Sequence, residues 1–187
     1  MTKAELDAIF SRVEDGVPDS ELQRVADFVA TSTDTSLQYR GLQILGWAHA
    51  REYAPLIASF LTRTDDLGLP FIAIRALVRW FQDAKPYVET LKSFLKGIPE
   101  DDGRDLQLGA LQVAGEAYRQ TADAEILQAI LDFLDDENEV YQEQAQDSLV
   151  CAIASDWERL TPKQRHDLRV SFDSVDYLSQ ARERLGF

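Results

Sequence analysis

The stretch Tyr39-Arg40-Gly41-Leu42-Gln43-Ile44-Leu45-Gly46-Trp47 recurs in weaker form along the chain, and this recurrence predicts the fold. Related stretches begin at Ile74, Leu108 and Tyr141, with steps of 35, 34 and 33 residues between successive starts. A period of this length is typical of helical hairpins stacked in a solenoid. The sequence therefore indicates a protein that acts by binding through a surface of stacked helices.

A second marker, an aromatic residue followed by an aliphatic one, repeats with a similar period on the helix that precedes each of these stretches. Acidic residues follow this marker at the predicted turn, where Asp34, for example, can cap the next helix. Two markers in step predict four hairpins, each with a leading and a trailing helix. The marker is an aromatic-aliphatic pair: Phe28-Val29, Phe60-Leu61, Phe94-Leu95 and Phe133-Leu134.

The repeated residues resemble the HEAT family of helical hairpins. Arg40 and Arg75 stand at the family's arginine position in the second helix, and Asp34 stands at its turn aspartate. Gly109 and Gln142 replace that arginine, so the later repeats depart from the pattern. The resemblance covers the four hairpins and implies a superhelix in which the second helices line the concave side.

The two ends of the chain lack the repeat pattern and are predicted to be caps. Thr2 and Glu5 have the spacing of a capping box, which predicts a first helix from Thr2 to about Glu14. Further helices are predicted to start at Pro162 and near Asp173. Atypical terminal units are what a solenoid needs to stop stacking.

We therefore predict an all-α protein, a right-handed α-α superhelix of about four HEAT-like hairpins with capping helices at both ends. It is expected to form a single solenoid domain over residues 1–187. The N-terminal capping helix is assigned to 1–18, the hairpins to 19–155 and the C-terminal capping helices to 156–187.

Composition restricts the classes of partner. Acidic residues number 33 against 19 lysines and arginines, which gives a net charge of −14. Such a charge favours solubility and opposes binding to nucleic acids and anionic membranes. A basic partner would complement it, although many soluble domains are simply acidic. The N-terminus lacks a signal-peptide core and no apolar run is long enough to cross a bilayer, so we expect a cytoplasmic protein that is monomeric when free.

Catalytic and metal-binding patterns are weak. His49 and His166 lie in no metal-ligand motif, and a pairing of His49 with Glu52 would supply only two ligands. Cys151 lies in an apolar run, which favours an inert buried thiol. We predict no catalytic residue, no cofactor and no metal. Four glycines within predicted helices are better explained by close helix packing than by a phosphate loop: Gly41, Gly46, Gly109 and Gly115.

A candidate binding groove follows from the trailing helices. The residues on the outer face of these helices are polar and rich in arginine. The HEAT-like resemblance implies that this face lies on the concave side of the superhelix. Trp47 among these residues is either an interface anchor or a side chain tucked between repeats, and Tyr118 is a second candidate anchor. The predicted groove residues are Arg40, Gln43, Trp47, Arg75, Arg79, Gln82, Gln112, Glu116 and Arg119.

A candidate acidic edge follows from the turns within the hairpins. One aspartate per turn is explained as the N-cap of the next helix. Three of the turns, however, carry two or three consecutive acidic residues, which is more than capping requires. Stacked by the repeat, they would form either a ridge that steers a basic partner or a merely solvated surface. The predicted edge residues are Asp65, Asp66, Glu100, Asp101, Asp102, Asp135, Asp136 and Glu137.

Small acidic HEAT-like proteins are similar to bacterial immunity proteins, which bind and block a cognate toxin. The leading hypothesis is therefore a non-catalytic immunity or inhibitor protein that occludes a basic toxin or enzyme. A generic scaffold or adaptor is the alternative. A groove-binding enzyme resembling the HEAT-like DNA glycosylases is a third, disfavoured because phosphate contacts dominate such binding and the chain carries −14 charges. The arginines could also simply pair with the turn acids.

Overall fold

Helices make up every regular element of the described part of the structure, a computed structural model that describes residues 1–154, 157–161, 163, 164, 167 and 176–186. The predicted all-α class is confirmed. The right-handed superhelical arrangement stays a prediction. None of the described helices is both long and apolar enough to span a membrane.

The first helix, α1 (Lys3–Phe10), begins at the predicted capping box. The Thr2 backbone amide donates to Glu5 Oε2 at 2.7 Å, and the Glu5 amide donates to Thr2 Oγ1 at 3.3 Å. Leu6 and Ile9 are buried, because α1 packs on the first trailing helix. The α-helix ends at Phe10 rather than near Glu14, and a separate 3-10 turn spans Val13–Asp15.

The eight helices that follow pair in sequence as leading and trailing partners. Within each pair the two helices contact each other, and each trailing helix contacts the next one along the chain. Short 3-10 turns flank α4, and a π-helix, Ala76–Trp80, continues α5. The pairs are α2 (Asp19–Thr31) with α3 (Thr35–Trp47), α4 (Ala54–Ala58) with α5 (Gly68–Arg75), α6 (Val88–Lys96) with α7 (Asp105–Thr121), and α8 (Ala124–Asp132) with α9 (Glu139–Ile153).

Two buried glutamines hold the turns of the first and third pairs. Gln38 Nε2 donates to the carbonyl oxygens of Val29 at 3.1 Å and Ser32 at 2.8 Å. Gln107 Nε2 donates to the carbonyl oxygen of Leu95 at 2.8 Å. These carbonyls lie at or just beyond the ends of the leading helices, where the helix supplies no partner of its own. The side chains therefore fix the angle between the two helices of a pair.

Four helix glycines lie where a neighbouring helix comes close, as the sequence predicts. A Cβ on Gly41 would overlap Val29 of the leading helix, and one on Gly46 would overlap Trp80 of the next pair. Gly109 lies against the Phe71 ring in the same way. At Gly115 the obstacle is the carbonyl oxygen of Ser148 on α9. The trailing helices thus approach one another at positions that admit no side chain.

The C-terminal part packs on the last pair through α10 (Tyr177–Leu185), which contacts both α8 and α9. The Arg184 guanidinium donates to the carbonyl oxygens of Ala152 at 3.3 Å and Ile153 at 3.2 Å, which caps the end of α9. A last helix is present as predicted and buries Ala181, but Leu178, predicted to face inward, is 37% exposed. Pro162, Leu168 and Phe172 of the other predicted capping helix, the proposed start near Asp173, and His166 lie outside the described residues.

Replacement of Gly115 by alanine tests the helix approach. Overpacking costs up to about 3 kcal/mol, and the gain in helix propensity offsets about 1 kcal/mol of that. We expect Gly115→Ala to lower the free energy of unfolding by about 2 kcal/mol, measured by urea denaturation. Gly103→Ala is the control, because a Cβ there would lie 3.5 Å from its nearest neighbour, Asp105 Oδ2. Equal stability of the two variants would contradict the close approach.

Candidate functional site

The outward faces of α3, α5 with its π-helix, and α7 form one continuous surface, which we call the trailing-helix surface. At its start, Arg40 lies between α1 and α3. Its Nε forms an ion pair with Asp7 Oδ1 at 3.0 Å, and its Nη1 donates to Gln43 Oε1 at 3.0 Å. The same guanidinium lies 4.5 Å from the centre of the Phe10 ring. Arg40 and Gln43 therefore meet as predicted, but Asp7 already neutralises the arginine.

An aromatic row connects α1, α3 and the π-helix. Phe10 meets Trp47 edge to face at 5.3 Å between ring centres, and Trp47 stacks on Trp80 at 6.1 Å with 17° between the planes. Trp47 nevertheless stays 40% exposed. Trp47 thus packs between neighbouring pairs, as one of its two interpretations predicts, and it still offers apolar area to solvent; its role as an interface anchor stays a prediction. Tyr118, the other candidate anchor, is buried at 8% exposure.

Two further arginines of this surface, Arg79 and Arg119, connect adjacent helices. Arg79 Nε donates to Glu116 Oε1 at 2.9 Å, and Arg79 Nη2 donates to the carbonyl oxygen of Gln112 at 2.5 Å. Arg119 Nη1 donates to the carbonyl oxygen of Ala154 at 2.8 Å. These predicted groove residues do come together. Their partners lie on the helices, so the idea that they pair with turn acids is wrong for Arg40 and Arg79.

Arg75 differs from these arginines because its guanidinium has no acidic partner within the described residues. Its Cζ lies 5.3 Å from the centre of the Trp80 ring. Its Nε is buried and has no hydrogen-bond partner there. Burial lowers the pKa of the Arg75 guanidinium, and the charge of Arg79 lowers it further. Both effects disfavour the charged form, and the nearby Glu116 acts in the opposite direction.

The π-helix that positions Trp80 is held by side chains distant in sequence. His49 Nδ1 donates to the carbonyl oxygen of Trp80 at 2.7 Å, and Gln120 Nε2 donates to that of Val78 at 2.8 Å. Such elements are frequent at functional sites. Gln82, predicted on the groove, follows the helix end with φ at +50° and is exposed. His49 is thus committed to the backbone rather than to a pairing with Glu52.

The acidic edge divides into two groups. Asp65 pairs with Arg63 at 2.6 Å, and Asp66 accepts from the Gly68 amide at 3.0 Å. Asp101, only 8% exposed, accepts from the Gln107 amide at 2.9 Å and does not belong to the surface. Asp136 pairs with Arg104 at 2.6 Å. Four exposed acids of the edge have no side-chain hydrogen bond or ion pair within the described residues, and we call them the free acids: Glu100, Asp102, Asp135 and Glu137.

Arg104 connects the third and fourth turns, a role that the repeat pattern does not reveal. Besides Asp136, it contacts the Tyr141 ring, with its Cζ 4.1 Å from the ring centre. Tyr141 Oη returns a hydrogen bond to the Arg104 carbonyl oxygen at 2.6 Å. The hydrogen bond from Arg104 holds the pKa of the Asp136 carboxyl below its usual range. The two acidic turns are thereby fixed relative to each other.

Two open clefts lie on either side of α8, away from the trailing helices. One, of about 470 Å³, lies between α6 and α8 over Leu95 and Phe133. The other, of about 450 Å³, lies between α8 and α10 beside Leu178. Asp132 lines both clefts. The structure thus places acidic side chains along concave surface on the leading side as well.

Metal ligands do not cluster in the described part of the chain, where no group of three or more histidine, cysteine or acidic side chains could hold an ion. Cys151 is a buried free thiol, at 3% exposure. Comparison with known protein families, curated proteins and solved structures finds no match. The HEAT-like resemblance consequently stays a prediction.

The Arg104–Asp136 pair gives a pH-dependent prediction. A carboxylate with a lowered pKa stabilises the fold fully above its unfolded-state pKa, about 3.9, and loses that contribution as the pH falls through the folded value. Asp136→Asn should lower the free energy of unfolding by about 1–2 kcal/mol at neutral pH. The difference from the parent protein should shrink below about pH 4.

The exposed neighbour Asp135 supplies the control. Asp135→Asn removes the same charge without removing the contact with Arg104. Denaturant titrations of both variants from pH 7 to pH 3 measure the effect. A loss for Asp136→Asn that is unchanged across this range would contradict the assignment.

Proposed function

We propose that this protein is a non-catalytic binding module of the cytoplasm, monomeric when free, that covers the active site of a basic protein partner. A toxin held inactive by an immunity protein is the arrangement that fits best. The stacked hairpins would form a right-handed, HEAT-like solenoid whose trailing-helix surface faces the partner. The partner would be blocked by occlusion, with no chemical step.

The observation that supports this proposal is the exposed Trp47. It is held on two sides by Phe10 and Trp80, and Arg40 contacts the far side of this row at the Phe10 ring, so the position of Trp47 is fixed before any partner arrives. Tryptophan and arginine are the residues most enriched at the energetic centres of protein interfaces. A side chain that is already ordered loses little entropy on binding.

Charge favours a protein partner over a nucleic acid. Nucleic-acid affinity depends on several cations that each neutralise a phosphate. On the trailing-helix surface, Arg40 and Arg79 are already paired with Asp7 and Glu116. A net charge of −14 would add long-range repulsion. The free acids would instead accelerate the approach of a basic protein.

Capture of the partner from the native host, followed by mass spectrometry, tests the proposal directly. A basic protein whose activity is suppressed on binding would support it. Binding to DNA or RNA that weakens steeply with salt, or capture of no protein at all, would contradict it.

Truncation of Trp47 tests the binding centre. Loss of an interface anchor typically costs about 2 kcal/mol or more, so Trp47→Ala should weaken partner binding by about 30-fold or more, measured by calorimetry. Val140→Ala is the matched control, because Val140 is an exposed apolar residue, at 54% exposure, at the start of α9. Similar affinities for the two variants would remove Trp47 from the interface.

Reversal of the free acids tests electrostatic steering. With all four changed to lysine, the association rate with a basic partner should fall about tenfold or more at low salt, while the dissociation rate changes less. Stopped-flow measurements at several salt concentrations give both rates. A control with the same change in charge at other exposed acids should slow association less; it replaces Glu14, Asp15, Asp19 and Glu143.

A further inference from the structure

Arg75 lies at the centre of the trailing-helix surface, on the helix between α3 and α7. The Trp80 ring lies beside its guanidinium, with 5.3 Å from Arg75 Cζ to the ring centre. This distance is within the range of a cation–π contact. The position therefore offers N–H donors next to an aromatic wall.

Arg75 forms no ion pair with an acid in the described part of the chain, whereas Arg40 and Arg79 each do. Arg79, one turn further along, is paired with Glu116 at 2.9 Å. Arg75 Nε is removed from solvent and has no acceptor among the described residues. The donors of this half-buried side chain that an arriving acceptor can reach are its Nη groups, which make no hydrogen bond within the described residues. Burial and the charge of Arg79 lower the pKa of Arg75 and Glu116 acts in the opposite direction, so a further anion in contact would favour the charged guanidinium.

We propose that Arg75 is a binding site for a single carboxylate group supplied by the protein partner. The planar guanidinium would receive the two carboxylate oxygens side by side, with Trp80 as the apolar wall of the site. This inference rests on the proposed function, since it identifies which chemical group of the partner contacts the surface.

A carboxylate fits this site better than the phosphate chain of a nucleic acid, because Arg75 offers a single cation. A carboxylate has one negative charge and two oxygens in a plane, which matches one guanidinium. A nucleic acid needs a series of cations along its backbone. Asp7 and Glu116 already occupy the cations on either side of Arg75. A partner with net positive charge can still present one such group, either an aspartate or glutamate side chain or its C-terminus.

Nuclear magnetic resonance of the full chain tests the site with small probes and without the partner. N-acetylglutamic acid α-amide presents a side-chain carboxylate, and N-acetylphenylalanine presents a terminal one. We expect a saturable shift of the Arg75 Nε–Hε and Trp80 indole signals with at least one probe, and a dissociation constant on the order of millimolar for ligands of this size. The tighter probe identifies the source of the carboxylate.

Variants separate the site from general ionic effects. Arg75→Gln should weaken probe binding by roughly tenfold or more, whereas Arg51→Gln, at an exposed arginine beyond α3, should leave it unchanged. Arg75→Lys keeps the charge but loses the planar donors and should bind more weakly than the parent protein.

Three results would overturn the inference: no saturable shift at Arg75 with either probe, tighter binding of inorganic phosphate or of oligothymidylate, or equal losses in Arg75→Gln and Arg51→Gln. The shift in the parent protein is informative even if a variant fails to fold. Because the probes act without the partner, absence of this site and absence of a protein partner give different results.

Discussion

The close approach of the trailing helices is the constraint on which the rest of the structure depends. Gly46, Gly109 and Gly115 each lie against a neighbouring trailing helix at a point where a Cβ would overlap its atoms. Glycine within a helix costs about 1 kcal/mol relative to alanine. A larger residue at these positions would hold the helices further apart. The free energy gained from close packing between the helices must therefore outweigh the propensity cost of the glycines.

Close packing also determines which arginines remain available. When α5 and α7 are brought together, Arg79 reaches Glu116 and the Gln112 carbonyl on the next helix. When α1 packs on α3, Asp7 reaches Arg40. Two arginines of the stripe, Arg40 and Arg79, are therefore neutralised in the fold. In the proposed function, binding would depend on Trp47, Trp80 and Arg75.

The sequence predicts the helix pairs well, because their period and the apolar pairs that end the leading helices depend on neighbours in the chain. The packing role of Gly41 could likewise be predicted, since a helical glycine needs a compensating contact. The π-helix could not be predicted. It depends on Gln120, which is 42 residues from Val78 in sequence. Asp101 was placed on the acidic edge for a similar reason, because nothing local shows that the Gln107 amide draws it inward.

The protein is strongly negative overall but locally positive at Arg75, and this difference would affect which partners it binds. A net charge of −14 favours any basic protein at long range, without selecting among them. Arg75 acts only at contact, where a partner that presents an apolar or basic group would leave the guanidinium buried and unpaired. Leaving a buried charge unpaired costs more than a good pair contributes. Long-range attraction would thus gather basic partners, and the proposed site at Arg75 would reject those that lack a carboxylate at the matching position.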